Sequence, residues 1–363
     1  MKYDKSELLI IWLDSIVGLD YKNKNYLYSK AENSSSISGT IKANSQYLIS
    51  ALGQEKYLSI LNSATDEYLK NLLDGYEKRE ITVITIKSLN YPNLLRELSS
   101  PPLALYAKGD VSLLDTECFS IVGARKSLPL SVAVAKDYAK GLIDGGFTIV
   151  TGIAEGVEKA VIETALERGG KIISVMASGI DKVYPASHKE LATRIKNSGL
   201  ILSEYPPNVS AMPYFFPLRN RIIAGLSKGT LIISAGKKSG TMYTAEYATE
   251  LSRELFAVPY SVGIESGAGC NELIKKGAIL TDEVDDILNF YGKTLVEKVF
   301  LTEEESQIAN ALRDGALHVE VIAQKLNKQI FEISPIISIL EIKGVIYKAG
   351  NNVFGLSKTF LED

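Results

Sequence analysis

Over the first 80 positions, apolar residues recur at the spacing of amphipathic helices: Leu8, Leu9, Trp12, Leu13 and Ile16, then Tyr68, Leu69, Leu72 and Leu73. Residues 1–80 therefore read as a helical domain, with the Ser-rich Ala31–Gly39 as a loop inside it. The period then changes. Ile81–Ile86 reads as a strand, and Tyr91-Pro92 and Pro101-Pro102 punctuate the passage to the next unit. Short apolar runs suited to buried parallel strands follow: Phe119–Val122, Thr148–Thr151, Lys171–Met176, Leu200–Ser203, Thr230–Ser234 and Leu255–Val258. Helical segments near 131–144, 156–168, 186–197, 219–227, 242–253 and 270–276 lie between and after them. Repeated βα units of this length predict an α/β domain over residues 81–281, a doubly wound, mostly parallel sheet with helices on both faces. Ligands of such sheets sit at the carboxyl ends of the strands, where the strand order reverses.

Residues 282–299 read as a linker with some helix. In 300–363, Thr302 can cap a first helix with Glu305 as its capping-box partner, and Val319–Leu326 and Phe331–Ile342 follow. Two short strands, Val345–Lys348 and Asn352–Leu356, flank the turn Ala349-Gly350-Asn351. Three helices and a hairpin predict a winged-helix-like domain.

Composition narrows the chemistry. A chain of 363 residues calls for two or three domains. Two cysteines, Cys118 and Cys270, support neither a disulfide framework nor a four-cysteine zinc site, and they fit a reducing cytosol. Two histidines, His188 and His318, leave triad catalysis or a histidine-rich metal centre resting on one residue. The expectation is a cytoplasmic protein without catalytic residues, metal or cofactor. Leu8–Val17 is interrupted by Asp14 and preceded by Asp4 and Glu7, so it makes a poor signal peptide. No apolar run approaches the roughly 20 residues of a membrane span. The net charge of −3 gives no hint of nucleic acid, but its distribution does. Residues 111–280 carry 19 basic against 16 acidic side chains, and residues 281–363 carry 8 against 14.

Four segments carry candidate chemistry. Ile121-Val122-Gly123-Ala124-Arg125-Lys126 ends the first parallel strand, where a glycine lets backbone approach a ligand and a helix start favours anions. It suits a plain βα turn with surface cations equally well, and it is not the GxGxxG dinucleotide fingerprint. Thr151-Gly152-Ile153-Ala154-Glu155-Gly156 repeats the two-glycine theme but sets a carboxylate where an anion site wants a cation. Phe215-Phe216-Pro217-Leu218-Arg219-Asn220-Arg221 places two aromatics before Arg-x-Arg at a helix start. Five cations and no acid lie between Pro213 and Met242, a mixture that suits unpaired nucleic acid. The bland alternative is a core Phe pair with a solvated cationic face. Ala235-Gly236-Lys237-Lys238-Ser239-Gly240-Thr241 enters a helix and makes a phosphate cradle without Walker A spacing, so ATP hydrolysis is not supported. His188 reads as structural or capping. Glu204 reads either as a site-edge residue or as a salt-bridge partner of a nearby arginine.

Together these blocks resemble the DNA-processing protein A (DprA, or Smf) family over roughly residues 80–280. The most specific block is Phe216-Pro217-x-Arg219-Asn220-Arg221-Ile222-Ile223-Ala224-Gly225-Leu226. Further matches are the Gly123/Arg125 turn, Gly179-Ile180-Asp181 with Tyr184-Pro185 and His188, Leu202-Ser203-Glu204-Tyr205-Pro206, and Gly269-Cys270-Asn271. The resemblance implies an extended Rossmann-like fold that binds single-stranded DNA without catalysis. It also implies a homodimer that hands DNA to a RecA-type recombinase in natural transformation and recombination. By the resemblance, the DNA pocket holds Gly123, Arg125, Phe216, Arg219, Asn220, Arg221, Ser239 and Gly240. Arg125 and Arg221 would pair with phosphates, and Phe216 would stack on a base. Lys126, Gly152, Gly156, Lys237 and Lys238 join these as phosphate-site candidates from their loops. This chain departs from the family at Ala124, Glu155, Val161, Ser234 and Tyr260; Glu155 replaces a cation. The helix Phe331–Ile342 holds Glu332 and Glu341 but no Lys or Arg, which points to a protein rather than DNA as its partner. Two rival readings remain. One is a nucleotide- or protein-binding adaptor that has lost DNA affinity. The other is a phosphoribohydrolase of the lysine-decarboxylase-like (LOG) family, whose loop Gly236 and Ser239-Gly240-Thr241 echo, although Glu246 comes two residues late.

Overall fold

The structure is a computed structural model that describes residues 3–16, 18–31, 37–293 and 301–357. Helices α1 (Lys5–Ser15), α2 (Tyr21–Ala31), α3 (Ile37–Ala43), α4 (Ser45–Leu52), α5 (Gln54–Ser63) and α6 (Asp66–Glu77) come first. Asp4 and Glu7 close a capping box that starts α1. The Ser-rich stretch read as a loop up to Gly39 already becomes helix at Ile37, because Ile37 and Ile41 pack into the core; residues 32–36 lie outside the described ones.

The sheet is built from β1 (Thr82–Thr85), β2 (Ala104–Gly109), β3 (Cys118–Gly123), β4 (Thr148–Thr151), β5 (Ile172–Met176), β6 (Leu200–Ser203), β7 (Gly229–Ser234), β8 (Glu254–Ala257) and β9 (Ile279–Leu280). Its order is β1-β2-β6-β5-β4-β3-β7-β8-β9. The β1–β2 and β2–β6 pairings are antiparallel; the remaining neighbours are parallel. This is a Rossmann-like α/β fold. The chain fills the sheet outward from β3 to β6, then returns to the other side of β3 with β7, so the order reverses between β3 and β7. The apolar pattern marks neither β2, which lies between β1 and β6, nor the edge strand β9.

Strand residues alternate between two apolar layers. Phe119 and Ile121 face α7 (Pro129–Asp144), α8 (Val157–Glu167) and α9 (Lys189–Ser198). Val122 and Val150 face α10 (Phe215–Leu226), α11 (Thr241–Glu250) and α12 (Ala268–Lys275). Helix α13 (Val284–Phe290) buries Ile287 and Leu288 in the first layer, so residues 282–290 are not a linker. The expected linker's last residues, 294–299, lie outside the described ones. Helix α1 buries Leu9, Ile10, Trp12 and Leu13 in that same layer, so residues 1–80 share the sheet's core and one compact unit runs from Met1 to Leu295.

A buried polar contact joins the helices to the sheet. The Tyr106 hydroxyl on β2 donates to Asp14 Oδ2 on α1 at 2.8 Å, and Lys24 Nζ lies 2.7 Å from Asp14 Oδ1. Tyr106→Phe strips one partner from a buried carboxylate and is expected to cost about 1–3 kcal/mol of stability, read from the midpoint of chemical unfolding.

The second unit, Val296–Asp363, is described over residues 301–357. Helix α14 (Glu303–Ala311) starts at the Thr302–Glu305 capping box, as its sequence predicts. Then come β10 (Leu317–His318), α15 (Val319–Leu326), α16 (Ile330–Ile342), β11 (Ile346–Gly350) and β12 (Val353–Leu356). The three strands form a sheet in the order β10-β12-β11, one strand more than the expected hairpin. Ile308, Ile322, Ile333, Ile337 and Leu340 form this unit's own core. No helix among the described residues is long and apolar enough to cross a membrane.

Candidate functional site

The loops after β3, β4, β5 and β7 and the first turns of α8, α10 and α11 meet at the carboxyl end of the sheet. Two glycines allow the close packing there. Gly156 sits at φ +79°, and a Cβ on it would lie 2.5 Å from the Arg125 carbonyl oxygen, so the turn after β3 passes directly over it. A Cβ on Gly152 would overlap the Arg219 guanidinium and the Glu158 carboxylate.

Helix α10 starts at Phe215, four residues before the expected 219. Pro217 fits its first turn because that turn needs no intrahelical N–H. Crossing from β6 back to β7, α10 runs over β5, β4 and β3 and brings Phe216 and Arg219 to the strand ends. Arg219 is 4% exposed. Its Nη1 donates to the Val175 carbonyl at 2.7 Å, its Nη2 lies 3.7 Å from Glu158 Oε1, and its buried Nε has no hydrogen-bond partner. Burial pulls the guanidinium below its ordinary pKa and Glu158 opposes the shift; the group stays charged. Glu158 Oε2 also accepts the Ala154 N–H at 2.8 Å. This buried pair fixes the floor of the site.

The rim is aromatic and charged. The exposed Arg125 guanidinium lies 4.5 Å from the Phe216 ring centroid, and the Tyr184 ring meets Phe216 edge-on at 5.6 Å. Glu155 projects into the same space, about half exposed. Its Oε1 lies 2.8 Å from Nε2 of buried His188, whose Nδ1 lies 3.0 Å from the Ile153 carbonyl oxygen. His188 therefore orients the Glu155 carboxylate, which bears out a structural role for the histidine.

Two cavities open here. One of about 190 Å³ is lined by Arg125, Ile153, Ala154, Glu155, Ala177, Tyr184, Pro185, Phe216 and Arg219. The other, about 350 Å³, is lined by Gly123, Arg125, Glu158, Phe216, Arg219, Asn220, Ser239, Gly240, Thr241 and Thr244, among others. They share Arg125, Ala154, Phe216 and Arg219 and so form one divided cleft.

Seven of the expected residues thus come together: Gly123, Arg125, Phe216, Arg219, Asn220, Ser239 and Gly240. Gly152 and Gly156 shape the floor without lining either cavity. Lys126, Lys237 and Lys238 are exposed and line neither cavity. Arg221 lines neither cavity, and its guanidinium is tied to Glu204 beside α10. The salt-bridge reading of Glu204 is the one that holds. Sequence reasoning missed Glu158, Tyr184 and Thr244 as lining residues, while Thr241 belongs to the expected phosphate cradle; for Glu158 the signal is an acid in the first turn after a glycine. Phe215 parts company with Phe216, stacking on Tyr205 at 4.0 Å. Glu246, the carboxylate on which a phosphoribohydrolase reading leans, is exposed and lines neither cavity. Burial pushes the Cys118 thiol up to about 11 and Cys270 up to about 12, so neither is a nucleophile near neutral pH.

A doubly wound sheet with a cation-capped aromatic cleft at its switch point defines a Rossmann-like α/β protein, without the glycine fingerprint of dinucleotide enzymes. The chain belongs to the DNA recombination-mediator protein A family, whose profile matches residues 82–292. It is 35% identical to DNA processing protein DprA of Bacillus subtilis over 220 residues, 60% of this chain and 74% of that protein. It is 31% identical to protein Smf of Escherichia coli over 270 residues, 70% of this chain and 72% of that protein. The X-ray structure of DprA from Streptococcus pneumoniae superposes with TM-score 0.67 at 29% identity, covering 78% of this chain and 97% of that one. A structure of DNA processing protein A from Helicobacter pylori, solved for its single-stranded-DNA binding mode, superposes with TM-score 0.54 at 32% identity, covering 58% and 95%.

Proposed function

We propose that this chain binds single-stranded DNA in the cleft between Arg125, Phe216 and Ser239–Gly240. The strand would be passed on, without catalysis, to a RecA-type recombinase during natural transformation and recombination. The observation that carries the reading is Arg125 held 4.5 Å over Phe216, with both residues lining both cavities. A guanidinium plane and a ring offer stacking surfaces to unpaired bases, and the guanidinium can also meet phosphate. The single-stranded-DNA binding mode named for the Helicobacter pylori relative supports a single strand as the ligand. Further elements of the reading are a homodimer, a cytoplasmic location and a winged-helix second unit whose α16, with Glu332 and Glu341 and no cation, meets protein rather than DNA.

The test is a salt series of fluorescence-anisotropy titrations with single- and double-stranded oligonucleotides. Wild type is expected to prefer single strands, and Arg125→Ala to lower the slope of log affinity against log salt by about 0.7, the value for one phosphate contact. Glu155→Arg adds a cation to the rim and is expected to tighten low-salt binding by roughly tenfold with a steeper slope. Equal affinity for single and double strands, unmoved by either change, would overturn the reading. A second reading, a nucleotide- or protein-binding adaptor without DNA affinity, rests on the Glu155 carboxylate lining the cleft. Calorimetry with oligonucleotides against mononucleotides separates the two.

A further inference from the structure

The smaller cavity has features that a phosphate site does not need. A carboxylate lines it, and that carboxylate is held in place. Glu155 Oε1 is tied at 2.8 Å to His188, which is itself 2% exposed and anchored on the Ile153 carbonyl. Lys159 Nζ stands 3.8 Å from Glu155 Oε2 and is not hydrogen-bonded to it. Oε2 and the second lone pair of Oε1 are therefore left to accept from whatever enters. Beside the carboxylate stand the Phe216 ring, the Arg125 plane above it and the half-exposed Tyr184. At the back lies the buried Arg219, with its unpartnered Nε. Flat stacking surfaces next to a fixed acceptor fork make a slot for a planar group with two adjacent donors.

Resting on the single-strand reading above, we propose that this cavity takes an unpaired base and that Glu155 makes guanine the preferred one. On its Watson–Crick edge guanine presents N1–H and the N2 amino group side by side, which matches both oxygens of a carboxylate. Adenine and cytosine each present one amino group beside a ring nitrogen acceptor that the carboxylate repels. Thymine presents one N–H between two carbonyls. Charge-assisted, two-point hydrogen bonding of this kind is both stronger and more selective than a single neutral bond. The strand's sugar and phosphate would then lie toward the larger cavity, at Ser239–Gly240. Glu155 is thus a specificity-determining residue rather than a stray charge in a cationic site.

The experiment measures affinity of the full-length chain for a short thymidine strand carrying, at one central position, guanine, inosine, adenine or cytosine. Inosine keeps N1–H but lacks the N2 amino group. Guanine is expected to raise affinity about tenfold over the all-thymidine strand, inosine to raise it by less, and adenine and cytosine not to raise it. Glu155→Gln is expected to abolish the guanine gain. If the thymidine strand binds but guanine adds nothing, or guanine and inosine bind alike, or the guanine gain survives Glu155→Gln, this inference is overturned and the single-strand reading stands. A chain that binds none of the strands overturns both.

Discussion

Arg219→Met lowers the stability of the first unit by about 3–5 kcal/mol, because it leaves Glu158 charged and buried without its cation. Glu158 is 7% exposed, and its remaining hydrogen bond comes from the Ala154 N–H. The methionine fills most of the arginine's volume, so the loss reports charge rather than a hole. The double variant Arg219→Met, Glu158→Leu removes both charges and is expected to recover most of the loss. Urea unfolding of the three proteins measures it. A single variant as stable as wild type would show that the pair is not the keystone of the site's floor. Binding follows stability here, because Arg219 links α10 to the end of β5 and so sets where Phe216 stands.

Phe216→Ala weakens single-strand binding by about 1–3 kcal/mol, the range for removing one base-stacking ring. The same change takes from Arg125 the ring over which it lies. Phe215→Ala serves as the contrast: its ring packs on Tyr205 and Tyr214 and lines neither cavity, so its loss falls on stability. Paired titration and unfolding of the two variants separate a ring that contacts ligand from one that packs. If Phe215→Ala weakened binding as much as Phe216→Ala, the ring's place in the cleft would not be what matters.

The fold was legible wherever local pattern decides structure. The apolar runs at Phe119–Val122, Thr148–Thr151 and Leu200–Ser203 are strands because both faces of those strands are buried, which removes polar alternation. Two strands were less legible: the apolar run of Ala104–Gly109 gives way to Lys108 and Gly109, which still pair with β6, and β9 is two residues long. The start of α10 was misplaced because Pro217 reads as a breaker yet sits where a first turn tolerates it. In the site, the glycine loops and the aromatic–cation block located the cleft. Which arginine does what was not readable, because Arg219 and Arg221 lie on one helix and differ only in partners that other segments supply. Glu158 arrives from α8 and Glu204 from the end of β6. Glu155 was visible as an acid in a cationic setting. Its orientation depends on His188, 33 positions along the chain.

The central claim is that an unpaired strand lies in the cleft at the carboxyl end of β3, β4, β5 and β7. It is tested most directly by photocrosslinking a single strand substituted with 5-bromodeoxyuridine and mapping the adducts by mass spectrometry. The account predicts adducts on Phe216 and Tyr184, suppressed by excess unlabelled single strand and lost in Phe216→Ala. Adducts confined to residues 301–357, or spread over the surface lysines Lys126, Lys237 and Lys238 while sparing Phe216 and Tyr184, would contradict it.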